Sequence, residues 1–397
     1  MIAAAAAGGG AIISPLDCDD TRVLAAALAA AGWPVVWRES IEIGTHVVPT
    51  RRVRLDLADS GTGARLILGL LAASPGLTIV DGSARLRERP MAPLVETLGR
   101  LGARLRPTGS ALPIEVDGIE LEGGRAKIRP EVSSQFVSSL LLSAPLMGRG
   151  LDLEIMGPLP SAPYLDLTED VLRAFGSELE VESDRRRWRV APVPLQRTRY
   201  AIEGDWSAAA FVLAAVAVGG GSLELGPLDP ASRQGDRAVL DILERTCLDM
   251  SWDGNRLLAG GPARSPIEAD LTDTPDLFPA LAVVAAAGVP GSCLVGLDNL
   301  RHKESDRLTV MVENLRLLGA EIVVEGSRAT FERPFGRRFD QLRRVTAAGD
   351  HRIAMAMAVA ALVVGDVELD DADCVSKSFP GFWKMWDGLI AAREGGA

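Results

Sequence analysis

One segment type recurs along the chain at a spacing that few architectures accommodate. A small polar or turn cluster runs into an apolar stretch rich in Ala, Leu and Val. The copies are "SGTGARLILGLLAA" from Ser60, "SSQFVSSLLLSAPL" from Ser133, "GDWSAAAFVLAAVAV" from Gly204, "DTPDLFPALAVVAAA" from Asp273 and "GDHRIAMAMAVAALV" from Gly349. Successive starts lie 73, 71, 69 and 76 residues apart. Each opens with Ser, Asp or Gly, residues that cap helices or turn the chain. The run that follows is too long for an ordinary strand and predicts a helix buried nearly all round.

A second, amphipathic segment follows each first one. Examples are "DDTRVLAAALAAAGW" from Asp19, "MAPLVETLGRLGARL" from Met91, "LDLTEDVLRAFGSEL" from Leu165, "RAVLDILERTCLDM" from Arg237 and "SDRLTVMVENLRLLGAEI" from Ser305. Short alternating runs such as "LEIMG" and "VELDDAD" lie between them and read as strands. The unit is an α/β module of about 70 residues, too long for a solenoid turn. One period back from Ser60, a further first-type segment begins before Met1, and its tail falls on "MIAAAAAGGG". Five complete modules and the rear of a sixth are therefore expected, with the opening a helix tail rather than a disordered leader. A secretory signal does not fit, because no Lys or Arg precedes the apolar run and Gly8 cuts it short. A membrane span needs about 20 apolar residues, and no window supplies them.

The 397 residues carry a net charge of −11, which argues against a nucleic-acid partner. Small anions remain possible where cations gather. Cys18, Cys247, Cys293 and Cys374 form no CxxC pair and read as core thiols. Three histidines make a His-rich metal site improbable. Of 42 basic residues only Lys127, Lys303, Lys377 and Lys384 are lysines. Lys127 and Lys384 read as surface residues; Lys303 and Lys377 lie in or near stretches dense in functional groups.

Three stretches combine charge and turn chemistry beyond what a core requires: "DGSARLRERP" (81–90), with Arg85, Arg87 and Arg89 on an expected loop, "NLRHKESDRL" (299–308) and "GDHRIAMAM" (349–357). With "SGTGAR", "VSSQF", "LPSAPYLDLT", "EGDWSAAAF" and "SKSFPGFW", in this order and spacing, they resemble the enolpyruvyl transferases, and within them the EPSP synthase family. The resemblance runs from "LDCDDTRVL" to "SKSFPGFW".

It implies an α/β fold of six βαβαββ-type modules, three per domain, with the first incomplete, in an inside-out, barrel-like arrangement. The domains would span 1–203 and 204–397, with a cleft between them at which helix N-termini aim their partial positive charge. The implied reaction is attack of the 5-hydroxyl of shikimate 3-phosphate on C2 of phosphoenolpyruvate, with no metal or cofactor. The resemblance gives Asp276 the hydroxyl proton. It gives Glu304 the carbon proton, a role that calls for a partly desolvated carboxyl. Arg85, Arg307, Arg352 and Lys377 would hold phosphoenolpyruvate with Gln135 and His351, and Gly61 and Thr62 would let backbone approach it. Ser133, Ser134, Gln135, Ser161, Tyr164, Asp276, Asn299 and Lys303 would bind shikimate 3-phosphate. Plainer readings stand beside three of these: Ser133 as a helix cap, Tyr164 as a strand-edge aromatic, Asp276 as a first-turn helix charge. The partners would be the two small substrates, with no nucleic acid or membrane, for a cytoplasmic monomer.

The pattern breaks at its start. The family's Ser-Lys-Ser…Arg signature has no counterpart, so the chain is expected to lack the front of its first helix and the strand before it. Met1 would then be an internal methionine, read as a start or left by truncation. Asp59 stands where the family often has a neutral residue, and would weaken anion binding modestly. Two alternatives follow: a relative acting on another cyclitol phosphate, and an inactive remnant that binds shikimate 3-phosphate or nothing.

Overall fold

The computed structural model describes residues 1–109, 111–336, 339 and 341–395. They fall into two compact units, Met1–Ile202 and Glu203–Ala397, each with its own apolar core.

At the centre of the N-terminal unit the helices Ile2–Ala6, Gly61–Ala72 and Gln135–Ser143 pack on one another. Their near-continuous apolar character follows from burial on almost every side. Gly69 permits the closest approach: a Cβ there would lie 2.6 Å from the Ser139 carbonyl oxygen. Ser139 Oγ instead accepts from Gly69 N (3.2 Å) and donates to Arg65 O (2.6 Å). In the opening helix, Ile2, Ala3, Ala4 and Ala5 are buried, and the Trp33 indole donates to Ala5 O at 3.1 Å. The Ala-rich start is thus a buried helix rather than a disordered leader.

Around these helices stand three four-stranded sheets of one design, two parallel strands followed by an antiparallel pair. In one, Val53–Asp56 runs parallel to Gly76–Asp81, then come Ala111–Gly118 and Arg104–Thr108. In another, Gly124–Ile128 is parallel to Leu151–Ile155, then come Arg187–Val190 and Leu179–Val181. In the first module the leading parallel strand comes from the far end of the unit, Arg199–Ala201, which pairs with Gly10–Ile13. Ser40–Ile43 and Val35–Trp37 complete that sheet.

The C-terminal unit repeats the design with the helices Trp206–Gly219, Phe278–Ala287 and His351–Val364. Only one of its sheets is four-stranded: Glu268–Asp270 parallel to Ser292–Val295, then Arg328–Arg333 and Glu321–Glu325. Gly221–Leu225, Arg256–Gly261 and Asp249–Asp253 form a three-stranded sheet that has no leading parallel strand among the described residues. Arg343–Val345 and Val367–Leu369 form a parallel pair without a hairpin. All six sheets are open, and no closed barrel occurs among the described residues. The amphipathic segments become the helices Asp19–Ala30, Ala92–Arg100, Pro163–Ala174, Val239–Glu244 and Arg307–Leu317. The cysteines are free; Cys18 is buried but Cys247 is exposed, so core packing does not explain the latter. Among the described residues no helix is long and apolar enough to cross a membrane.

Candidate active site

In the C-terminal unit the charge cluster is built on Arg307, the first residue of the Arg307–Leu317 helix. Its guanidinium is fully buried, which is tolerable only if every nitrogen finds a counter-charge. Nη1 donates to Asp276 Oδ1 (2.7 Å), Nη2 to Glu304 Oε2 (2.7 Å) and Nε to Asp350 Oδ2 (2.9 Å). One fork thus holds Asp276 and Glu304 side by side. Asp276 sits in a tight turn, Pro275–Leu277, ahead of the Phe278–Ala287 helix, so it is both a first-turn charge and a cation partner. Lys303 Nζ lies 3.2 Å from its Oδ1 and Arg352 Nη2 3.2 Å from its Oδ2. Burial alone would raise the Asp276 pKa; Arg352, Lys303 and Arg307 overcome it and hold the carboxyl well below the usual range. Glu304, its side chain 18% exposed, is also met by Lys377 Nζ at 3.5 Å.

Asp350 secures the arrangement from beneath. It accepts from Arg307 Nε and Nη2, from Ser305 Oγ at 3.1 Å and, as a helix cap, from Arg352 N at 3.0 Å. Burial opposes its ionisation, and Arg307 keeps it ionised. His351 is buried beside it, and burial, then Arg352, lowers its pKa to about 4; at neutral pH it is an uncharged imidazole. Asn299 lies half-buried in the Asp298–His302 turn. The structure therefore brings Asp276, Lys303, Glu304, Arg307, His351, Arg352 and Lys377, all named from the sequence, into one cluster. The sequence reading missed Asp350, readable only as the helix cap of "GDHR", and it missed Ser207 and Asp236. Arg352 Nη1 donates to Ser207 Oγ. Asp236 is buried, and desolvation and the Asp276 charge raise its pKa to about 6.

The N-terminal unit carries a second cluster around Arg65, one turn into the Gly61–Ala72 helix. Arg65 Nη1 donates to Gln135 Oε1 (2.9 Å) and Ser133 Oγ (3.3 Å), and Nη2 to Pro90 O (3.4 Å). Gln135 Nε2 donates to Thr62 Oγ1 at 2.8 Å. Ser133, Gln135 and Thr62 are thus brought together, with Gly61 at the same helix start. Ser134, not Ser133, occupies the cap position, is buried and makes no side-chain cap bond; Ser133 Oγ accepts from Gln135 N at 3.3 Å. The signal for Arg65 was a lone cation inside an apolar helix.

The three arginines of 81–90 differ in use. They lie around a short helix, Ala84–Glu88, capped by Ser83, where a loop was expected. Arg87 is committed to Asp81 by two bonds of 2.8 Å. Arg89 is buried against Gly61: a Cβ on Gly61 would lie 2.1 Å from Arg89 Nη1. Arg89, another residue missed, is thus the visible reason for glycine there. Arg85 remains 40% exposed and pairs with Glu88 at 2.8 Å. Asp59 accepts a hydrogen bond from Ser83, so its charge serves the cap of that helix. Ser161, with φ +56°, and Tyr164 lie at the start of the Pro163–Ala174 helix, so Tyr164 is not at a strand edge. Ser138 Oγ and Thr168 Oγ1 at 2.8 Å tie that helix to Gln135–Ser143.

Residues 1–386 match the family described as EPSP synthase (3-phosphoshikimate 1-carboxyvinyltransferase). A curated 3-phosphoshikimate 1-carboxyvinyltransferase of Methanospirillum hungatei is 35% identical over 98% of this chain and 93% of its own length. Its counterpart in Syntrophobacter fumaroxidans is 36% identical at the same coverage. Among solved structures, an EPSP synthase from Acinetobacter baumannii superposes with TM-score 0.75 at 24% identity, covering 97% of this chain and 92% of the other. The enolpyruvyl transferase NikO from Streptomyces tendae superposes with TM-score 0.75 at 18% identity, covering 98% and 91%. At those identities the structural likeness speaks to the fold.

Proposed function

The chain belongs to the EPSP synthase family, and from that membership we propose that it transfers the enolpyruvyl group of phosphoenolpyruvate to the 5-hydroxyl of shikimate 3-phosphate, releasing phosphate. The observation that carries this reading is the gathering of Lys303, Arg307, Arg352 and Lys377 about Asp276 and Glu304. Four cations suit a substrate with a phosphate and a carboxylate. Two adjacent carboxylates suit an addition that takes one proton from oxygen and gives one to carbon.

Asp276 accepts the hydroxyl proton as oxygen attacks C2. Glu304, which enters the step protonated, gives that proton to the methylene carbon, completing a tetrahedral intermediate. Glu304 then takes a methyl proton back as the C–O bond to phosphate breaks, and the proton on Asp276 leaves with the phosphate. Against Arg352, Lys303 and Arg307, which hold its charge, Asp276 is a weak base. An arriving phosphate and carboxylate draw Arg352 and Lys303 toward themselves and restore its basicity. Arg307, Arg352 and Lys377 hold phosphoenolpyruvate with neutral His351, and Arg85, Gln135, Gly61 and Thr62 serve the same substrate. Ser133, Ser134, Gln135, Ser161, Tyr164, Asn299 and Lys303 bind shikimate 3-phosphate. The same reading takes the protein to be a cytoplasmic monomer, with sedimentation as the test of the oligomeric state.

The deciding experiment is phosphate release by purified protein. Release that needs shikimate 3-phosphate and phosphoenolpyruvate together supports the reading. Release from phosphoenolpyruvate alone, or from neither, overturns it.

A further inference from the structure

Arg65 lies near the positive end of a helix dipole and inside an apolar run, and it is only 3% exposed. A cation bears a cost on both counts, and the reaction as described does not employ it. Fixed neighbours keep it from swinging toward a ligand. Its guanidinium carbon lies 5.0 Å from the centre of the Phe136 ring. Nη2 donates to Pro90 O at 3.4 Å. Nη1 is shared between Gln135 Oε1 (2.9 Å) and Ser133 Oγ (3.3 Å).

These bonds decide which end of each neighbour faces outward. A guanidinium only donates. The Gln135 amide must therefore turn its oxygen toward Arg65 and its NH2 group away. One N–H of that group goes to Thr62 Oγ1 at 2.8 Å, which leaves the second to give. Thr62 is exposed, and its oxygen already accepts from Gln135, so its own proton is left for a further acceptor. Ser133 Oγ accepts twice, from Arg65 Nη1 and from Gln135 N, each at 3.3 Å. With both lone pairs engaged, it too is left to donate. Without the cation behind them the amide could flip and the hydroxyls rotate, and each residue could accept as readily as give.

We propose that Arg65 is a positioning residue that sets the hydrogen-bond polarity of the N-terminal cluster, so that Ser133, Gln135 and Thr62 all meet their ligands as donors and select phosphate and carboxylate oxygens. The inference rests on the enolpyruvyl-transfer reading, in which these residues bind phosphoenolpyruvate and shikimate 3-phosphate. Arg65 itself touches neither substrate; it acts through the three side chains in front of it.

The test separates polarity from packing with two variants. Gln135→Glu keeps an oxygen on Arg65 but replaces the outward NH2 by an acceptor. Its melting temperature stays at or above that of wild type. Its KM for phosphoenolpyruvate and its Kd for shikimate 3-phosphate, read by titration calorimetry, rise about 100-fold, because a donor to a charged group is lost. Arg65→Met occupies similar space without a donor and raises both values about tenfold, with kcat within about threefold of wild type. Arg65→Lys, which still donates toward Gln135, recovers part of that loss. Gln135→Glu protein that binds both substrates within about twofold of wild type overturns the proposal, because the site then takes an acceptor as well as a donor. Unchanged affinities in Arg65→Met also overturn it. So does a fall in kcat and melting temperature that lysine does not relieve, which shows a packing role. Wild-type protein that releases no phosphate from the substrate pair defeats the underlying reading and the proposal with it. Wild-type turnover with full affinity in Gln135→Glu defeats the polarity argument alone.

Discussion

Replacing Asp350 by alanine tests whether the buried charge network holds the C-terminal unit together. Arg307 and Asp350 side chains are 1% and 0% exposed, so solvent cannot replace the lost partner. Removing one member of a buried, hydrogen-bonded pair costs about 3–5 kcal/mol. Loss of the cap on the Arg352 amide adds about 1 kcal/mol. Against a total stability of about 5–15 kcal/mol, the variant sits near its threshold. At about 2–4 °C per kcal/mol for a unit of this size, calorimetry reads a fall of about 8–24 °C. Asp350→Asn keeps the cap acceptor and loses only the charge, so its fall is smaller. The pH dependence gives a second check. The native carboxyl is held below the ordinary value, so its contribution is complete above about pH 4 and vanishes as pH drops through the depressed native pKa. The gap between wild type and Asp350→Asn is therefore constant from pH 5 to 8 by the same linkage and closes in acid, over roughly the pH range below 4. A fall of less than about 2 °C in the alanine variant refutes the argument, since a melting shift that small corresponds to a surface-like cost.

Three further outcomes follow from particular contacts. His351→Asn removes a group that stays neutral in the native state down to about pH 4 but takes a proton at about 6.5 when unfolded; wild type loses about 3 kcal/mol as pH falls across that window, and urea titrations of the variant show a shallower slope. Gly61→Ala drives a methyl onto Arg89 and lowers the melting temperature by the equivalent of about 1–3 kcal/mol, and adding Arg89→Ala recovers part of it. Glu304→Gln lowers kcat by about 100-fold or more and abolishes exchange of the phosphoenolpyruvate methylene hydrogens with deuterated solvent in the presence of shikimate 3-phosphate. Exchange at the wild-type rate would assign the carbon proton to another group.

The period of the apolar runs was enough to find the core helices, because a helix buried on all sides must be apolar on all sides, and little else produces twelve such residues between turn signals. The same logic recovered the Ala-rich opening. Strand bookkeeping was not legible, since Arg199–Ala201 joins a strand nearly two hundred residues away and no local pattern encodes that pairing. At the site, motif resemblance found the cations and carboxylates that cluster at the surface of the network. It missed the groups that meet those groups. Asp350 looks like an ordinary cap, Arg89 like one more surface arginine, and Asp236 like a loop acid in "QGDR". Their burial decides their role, and burial of a single polar residue leaves no periodic trace. Cys247 shows the converse error: rarity of CxxC spacing excluded a metal ligand but said nothing of exposure.

The C-terminal cluster shows how a chain of net charge −11 keeps four cations together, by pairing them with its own carboxylates. Each is already paired: Arg307 with Asp276, Glu304 and Asp350, Lys303 and Arg352 with Asp276, and Lys377 with Glu304. Binding an anionic substrate is then an exchange of partners rather than the filling of a bare positive site. Such an exchange costs little for Lys303, Arg352 and Lys377, whose side chains are 12–21% exposed. It costs much more for Arg307, which Asp350 holds in place. On the proposed function, substrate anions that draw Lys303 toward themselves relieve Asp276 of part of the positive charge that holds its pKa down, so that substrate capture and activation of Asp276 are linked, with Arg307 as the fixed point.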